Sequence, residues 1–336
     1  MPERIPSLDV LRILGAFAVV MLHVSAGVVG TVDVTSVSWW VANVSNAASR
    51  WGDAIIMMTG GALLLGRASG QAPLGFAMGR FARLLPAVVF WTLFYLLWRA
   101  WRGELPAAGE VLVELLRGTP YYHLWFLYMM LGMYLALPLV GRLVNGEDRR
   151  LAYYFLGLCC VLTPAEGLMR VILEMSHASF VSLFPLYLVY FVGGYLLYRD
   201  RPPVSAGVLA GTAVLCIVLV AAGVAALHPV LGERVFKFMY TNRGPLVIVT
   251  TFSLFLLALR VLPEHDSGRA RCLRPGRAGL ARVTLGIYAI HPFWIVMLAD
   301  RGWSAMHHDA PWAVPAYTVL IFALSAATAL ALARLP

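Results

Sequence analysis

Charge is what this sequence has least of. Only 13% of its 336 residues are Asp, Glu, Lys or Arg, roughly half the ~25% carried by soluble globular domains. Lysine is almost missing, with Lys237 alone against 25 arginines. Hydrophobic residues make up 60% of the chain and its mean hydropathy is +0.78. A soluble protein of this length has too little interior to hide so much apolar surface, so lipid must serve as solvent for the rest. In lipid every backbone N–H and C=O has to be paired inside the protein, which leaves helices or a closed barrel. The apolar runs are long and unbroken rather than short and alternating, and they select helices. The expected fold is all-α, a polytopic helical bundle in a lipid bilayer. No soluble stretch is left over to bind nucleic acid, so the net charge of +9 reads as topogenic arginine in the connecting loops.

Other absences narrow the chemistry. Four cysteines make no disulfide framework: Cys159, Cys160 and Cys216 sit in apolar runs, Cys272 in a basic stretch, and no metal-ligand spacing is present. There is no Gly-rich phosphate loop, no Gly-x-Ser-x-Gly elbow and no His-Glu-x-x-His pair. No Asp or Glu falls at the centre of an apolar run, where ion-coupled carriers commonly place one, which weakens a transporter reading.

With about twenty residues needed per crossing, spans are expected near 8–30, 51–66, 82–101, 122–141, 151–165, 179–198, 206–227, 245–262, 283–300 and 311–333. The first is span-length without a cleavage signature and reads as a signal anchor. No internal repeat is evident, and a single membrane domain over 1–336 with no appended soluble domain is expected. With the N-terminus inside, inner segments hold 17 of the 26 basic residues, which the positive-inside rule favours; both ends are then cytoplasmic. Two connections stand out. Residues 102–121 carry Glu104, Glu110 and Glu114 between apolar residues at helical spacing, as in a surface helix. Residues 263–282 mix Gly, Pro and arginines as in a flexible segment, either on anionic lipid or over a phosphorylated ligand.

Ionisable groups that the bilayer should exclude are the informative ones. Arg12 and His23 are eleven residues apart, about 16 Å and close to one helical face. An arginine at the inner mouth can hold a phosphate, and a neutral histidine can take a proton from an attacking hydroxyl. Equally, Arg12 can snorkel or pair with Asp9, and His23 can simply cross-link helices. Arg80 and Arg83 share a face entering the third span, where their ordinary role is a positive-inside anchor. Tyr121-Tyr122-His123-Leu124-Trp125 opens the fourth span, as an interfacial aromatic belt or a place for a hydroxylated acceptor. His291, in Gly286-Ile287-Tyr288-Ala289-Ile290-His291-Pro292, is a second imidazole inside a span and a coequal candidate. His177, His228, His307 and His308 fall in connecting segments and read as ordinary.

In sequence order, Leu8-Asp9-Val10-Leu11-Arg12 followed by ten residues and His23, then Met58-Thr59-Gly60-Gly61-Ala62-Leu63-Leu64, Arg80 with Arg83, His123-Leu124-Trp125-Phe126-Leu127 and Leu285-Gly286-Ile287-Tyr288-Ala289-Ile290-His291-Pro292 form a series. This series resembles the acyltransferase-3 family of integral membrane acyltransferases, which modify surface polysaccharides and some small molecules. The chain departs from it at Thr59, where the family often has Ser. The resemblance implies a ten-helix fold, a cytoplasmic acyl-CoA donor, acetyl-CoA above all, and an acceptor hydroxyl on the other side. It implies no permanently bound cofactor and no metal. His23 becomes the general base and Arg12 a donor-phosphate or positioning residue, with Arg80 and Arg83 at the donor mouth. His123, Trp125 and His291 fall to the acceptor. His123-Leu124-Trp125-Phe126-Leu127-Tyr128 resembles the branch associated with O-acetyl transfer to a surface glycan or glycan precursor, and the arginine- and alanine-rich usage suggests a bacterial cytoplasmic membrane. The rival from another class is a multi-pass carrier for a polar solute or lipid-linked sugar; a non-catalytic scaffold in an export complex is a third.

Overall fold

The computed structural model describes residues 5–68, 72–172, 187–263, 269–308 and 310–334, with backbone alone at 170–172 and 269–274. Among these residues there are helices and no strands. In chain order they are α1 (Pro6–Val29), α2 (Val37–Ser49), α3 (Gly52–Ala68), α4 (Pro73–Trp101), α5 (Ala108–Arg117), α6 (Trp125–Val144) and α7 (Arg149–Ile172). They continue as α8 (Leu188–Asp200), α9 (Ala206–Leu231), α10 (Arg234–Met239), α11 (Pro245–Val261), α12 (Arg269–Ala299), a 3₁₀ turn (Ala305–His307) and α13 (Ala313–Leu332). Each of the ten expected spans overlaps one of these helices, the 179–198 span only from Leu188 onward among the described residues. Seven of them, α1, α4, α6, α7, α9, α12 and α13, are long and apolar enough to cross a membrane. Their outer faces carry large apolar residues such as Leu97, Leu139 and Val230, which are 70%, 75% and 80% exposed. Water would penalise that surface and lipid does not, so the chain is a polytopic helical membrane protein.

Three expectations need correction or completion. The basic stretch 263–282 is not a flexible loop: from Arg269 onward it is the first part of α12. Arginine, leucine and alanine are good helix formers, and together they outweigh Gly276, Gly279 and Pro275. The Cys272 side chain, residues 264–268, the beginning of the 179–198 span and His177 lie outside the described residues. His228 is not in a loop but in the last turn of α9. The connection between the first two spans holds α2, begun by an Asx turn in which the Asp33 carboxylate accepts from the backbone N–H and hydroxyl of Thr35. Those two bonds hold the Asp33 carboxyl below its ordinary range. Ser36 then caps α2 by accepting from the N–H of Trp39 at 3.0 Å. The surface helix expected within 102–121 is α5, which buries no residue and ends on a left-handed Gly118.

Two compact units share the chain: Met1–Thr59 with Asp200–Pro336, and Gly60–Arg199. In the first, α1 is the central element, packed on α2, α11, α12, α13 and the 3₁₀ turn. One apolar cluster gathers Val20, Val24, Val28, Trp39, Val224, Val314 and Ile321; a second gathers Ala16, Val283, Ile287, Ala326 and Ala329. The approach of α1 to α3 depends on two glycines. A Cβ on Gly15 would lie 2.6 Å from Ile55 Cγ2, and one on Gly52 would lie 2.9 Å from the Gly15 carbonyl oxygen. Without a hydrophobic force between helices in lipid, such small-residue contacts are what allow close backbone packing.

In the second unit α4 packs on α6 and α6 on α7. Polar ties fasten the helix ends. Asn145 donates to the Leu65 carbonyl at 3.0 Å and accepts from the Tyr195 hydroxyl, while Arg199 donates to the Val144 carbonyl at 3.0 Å. Arg99 holds α5 through both oxygens of Glu114, at 2.6 and 3.2 Å, and reaches the Pro120 carbonyl at 2.9 Å.

Candidate active site

The two imidazoles that were coequal on sequence meet. His23 Nδ1 of α1 lies 2.8 Å from His291 Nε2 of α12. The rings are within 19° of parallel with centroids 4.9 Å apart, an edge-to-edge arrangement joined along the N···N line. His291 is fully buried and His23 is partly exposed.

The local sequence explains how this pair is oriented. In an α-helix the N–H of residue i bonds the carbonyl of i−4, and Pro292 has no N–H to offer Tyr288. The Tyr288 carbonyl is thereby released from the ladder and lies 2.6 Å from His291 Nδ1. A carbonyl can only accept, so Nδ1 of His291 carries its proton. In the neutral ring Nε2 is then the acceptor, and it faces His23 Nδ1, which must donate. His23 is left with its lone pair on Nε2. A backbone carbonyl thus fixes both tautomers, and the hydrogen-bond pattern rather than any observed hydrogen assigns them. The same helix is pinned on α13 by Trp294 Nε1, which donates to Thr328 Oγ1 at 3.1 Å.

A second group braces α1 around His23. Asn46 of α2 donates to the Leu22 carbonyl at 3.2 Å and to Ser25 Oγ at 3.0 Å. Its own oxygen accepts from Arg50, whose Nη1 also donates to the Tyr240 carbonyl at 2.7 Å. The Arg50 guanidinium sits 4.4 Å from the Tyr240 ring centre, and the Tyr240 hydroxyl donates to Asn43. Asn43 passes its donor to the Ala221 carbonyl of α9 at 3.0 Å. Sequence reasoning missed this group. The signal was there, since Asn43, Asn46 and Arg50 recur at the i, i+3, i+7 spacing of one helical stripe. Replacing Arg50 with Leu orphans a buried amide oxygen and a carbonyl. At about 1–3 kcal/mol for each of the two unsatisfied groups, the variant is expected to lose ~2–6 kcal/mol. Thermal unfolding in detergent reads this directly, and an unchanged transition would show that apolar packing alone holds α2.

Beside His23 lies a cavity of about 40 Å³, bounded by α1, α12, α13 and the segment 303–306. Arg12, partly buried, is three turns from His23 on the same helix. The remaining sequence candidates belong to the unit Gly60–Arg199. Arg80 is partly buried with its guanidinium 5.0 Å from the Phe76 ring centre, and Arg83 is exposed one turn further along α4. His123 is fully buried among Tyr95, Tyr121 and Tyr122, with ring centroids 5.0, 5.7 and 5.4 Å away. Trp125 begins α6 with its ring 5.2 Å from that of Tyr187.

A family model described as an acyltransferase domain matches residues 5–333. No curated protein and no solved structure matches the chain.

Proposed function

Because this chain belongs to the acyltransferase-3 family, a family of membrane acyltransferases, we propose that it moves an acyl group, acetyl in the first instance, from acyl-CoA to a hydroxyl of a surface glycan, a glycan precursor or a related small molecule. The observation that carries this reading is the chain from the Tyr288 carbonyl through His291 to His23, which supports Nε2 of His23 as the basic atom. The acceptor hydroxyl gives its proton to that nitrogen as its oxygen bonds the thioester carbonyl carbon. The C–S bond then breaks, and the departing thiolate takes the proton from the same nitrogen. Such positioned proton transfer is worth about 10²–10⁴ in rate.

His291 is a positioning residue in this scheme: it holds the His23 ring and its tautomer without touching substrate. Arg12 holds a donor phosphate through its fork of donors. Eleven residues of helix, about 16 Å, is a separation that the pantetheine arm of CoA covers between phosphate and thioester. In the unit Gly60–Arg199 the family resemblance favours a donor role for Arg80 and Arg83 and an acceptor role for His123 and Trp125. The donor comes from the cytoplasm and the acceptor from the other face of a bacterial cytoplasmic membrane.

Purified protein in nanodiscs tests the reading. Thiol release from acetyl-CoA is expected to depend on added cell-envelope glycan and to match the acyl groups gained by it. If no thiol appears with acetyl-CoA or longer donors while sealed vesicles take up the acceptor without consuming CoA, the protein is a carrier.

A further inference from the structure

The cavity beside His23 lies on the side of the imidazole away from Arg12. Arg12 is three turns from His23 in the direction of Pro6, whereas the cavity follows Val24 and Gly27 toward the other end of α1. With a donor phosphate at Arg12, the donor reaches His23 along one half of the helix, and this cavity is left to the other substrate. Its lining residues include no arginine or lysine, so it offers the phosphates of CoA no ion pair.

What it does offer is hydroxyl groups and aromatic rings. Tyr317, near the start of α13, lines the cavity and is 8% exposed. Its ring stacks on His308, with centroids 5.9 Å apart and planes within 14°, while its hydroxyl makes no hydrogen bond among the described residues. A buried tyrosine hydroxyl ordinarily has a partner, and a substrate hydroxyl can be one. Ser304 lines the cavity from the connection between α12 and α13. Its oxygen accepts from the Met306 N–H at 3.3 Å, which leaves the hydroxyl proton to donate. Trp303, beside it, also lines the cavity and is 62% exposed. The cavity is therefore partly open, and a flat apolar ring stands where it opens. Such a ring suits the C–H face of a sugar, whose hydroxyls project around its edge toward Ser304 and Tyr317.

We propose that this cavity is the acceptor site, with Trp303 against a sugar face and the Tyr317 hydroxyl bonded to one sugar hydroxyl, so that another is presented to His23. The proposal rests on the acyl-transfer reading and adds to it residues by which the acceptor is held beside the base.

The test is acceptor-dependent thiol release by the full-length protein in nanodiscs, with acetyl-CoA and cell-envelope glycan varied in turn so that KM is obtained for each. Tyr317→Phe keeps the ring and its stack on His308 and removes only the hydroxyl. It is expected to raise KM for glycan by roughly 2- to 12-fold, the worth of one hydrogen bond, with KM for acetyl-CoA unchanged. Trp303→Ala, at an exposed position where the fold is not at stake, should also raise KM for glycan, and Trp303→Phe should restore most of it. A rise in KM for acetyl-CoA instead, or no change in either constant, overturns the acceptor assignment and leaves the acyl-transfer reading standing. If wild type releases thiol from no acyl-CoA, both fall together.

Discussion

His23→Ala is expected to lose acceptor-dependent thiol release by about 10²–10⁴, the span of general-base catalysis, with folded protein recovered in normal amounts. The argument is geometric. His23 is partly exposed and its Nδ1 is committed to His291, so Nε2 is the ring atom the proposed reaction uses as base. His23→Asn sharpens the test, since its amide nitrogen replaces Nδ1 and can still donate to His291 Nε2 but cannot take a proton at neutral pH. It should therefore be as inactive as alanine. His291→Ala leaves the base present but its tautomer unfixed, and a smaller loss is expected, in kcat rather than KM. A fully active His23→Ala would sink the mechanism. A scaffold would be indifferent to His23→Asn and to Arg12→Lys alike.

Gly61→Ala is expected to leave little folded protein. A Cβ at this position in α3 would overlap the carbonyl of Phe191 in α8 and lie 3.1 Å from its Cα. Both partners are backbone, so no side chain can swing aside. The two helices would have to part, and overpacking a filled interior costs about 1–3 kcal/mol, occasionally more. Gly157→Ala makes the control, because a Cβ there in α7 meets nothing within 4 Å. That change should be neutral or stabilising by up to about 1 kcal/mol. Fluorescence-detected gel filtration and thermal midpoints of the two variants, expressed side by side, separate the outcomes. Equal yield and stability would show that α3 and α8 can move apart freely.

The long helices were legible because the bilayer leaves few alternatives: an apolar run such as 206–227 has to be a helix, and α9 is one. The short or basic elements were not. The run 269–282 shows turn residues on paper, yet becomes helix because arginine, leucine and alanine set the local preference and the following span continues it. α2 escaped notice because its half-polar face points to a buried hydrogen-bond network rather than to lipid, a partner that hydropathy does not see. The site divides the same way. His23 and His291 were separately conspicuous as imidazoles within apolar runs, but 268 residues separate them, and no spacing rule spans that gap. The role of Pro292 is legible only afterwards. A proline after a histidine signals a kink, and that it frees a carbonyl to set a tautomer two rings away requires α1 and α12 side by side.

The chain from Tyr288 to His23 has a bioenergetic consequence. It ends on an amide carbonyl that has no proton to give and will keep none, so nothing can be conducted through it. In the proposed reaction the proton taken from the acceptor then leaves by the nitrogen through which it arrived, and each turnover returns it to the released thiol. The reaction is then electrically silent along this route even though it sits inside a membrane that sustains a proton-motive force. In energised vesicles, a protonophore should leave the rate of acyl transfer unchanged.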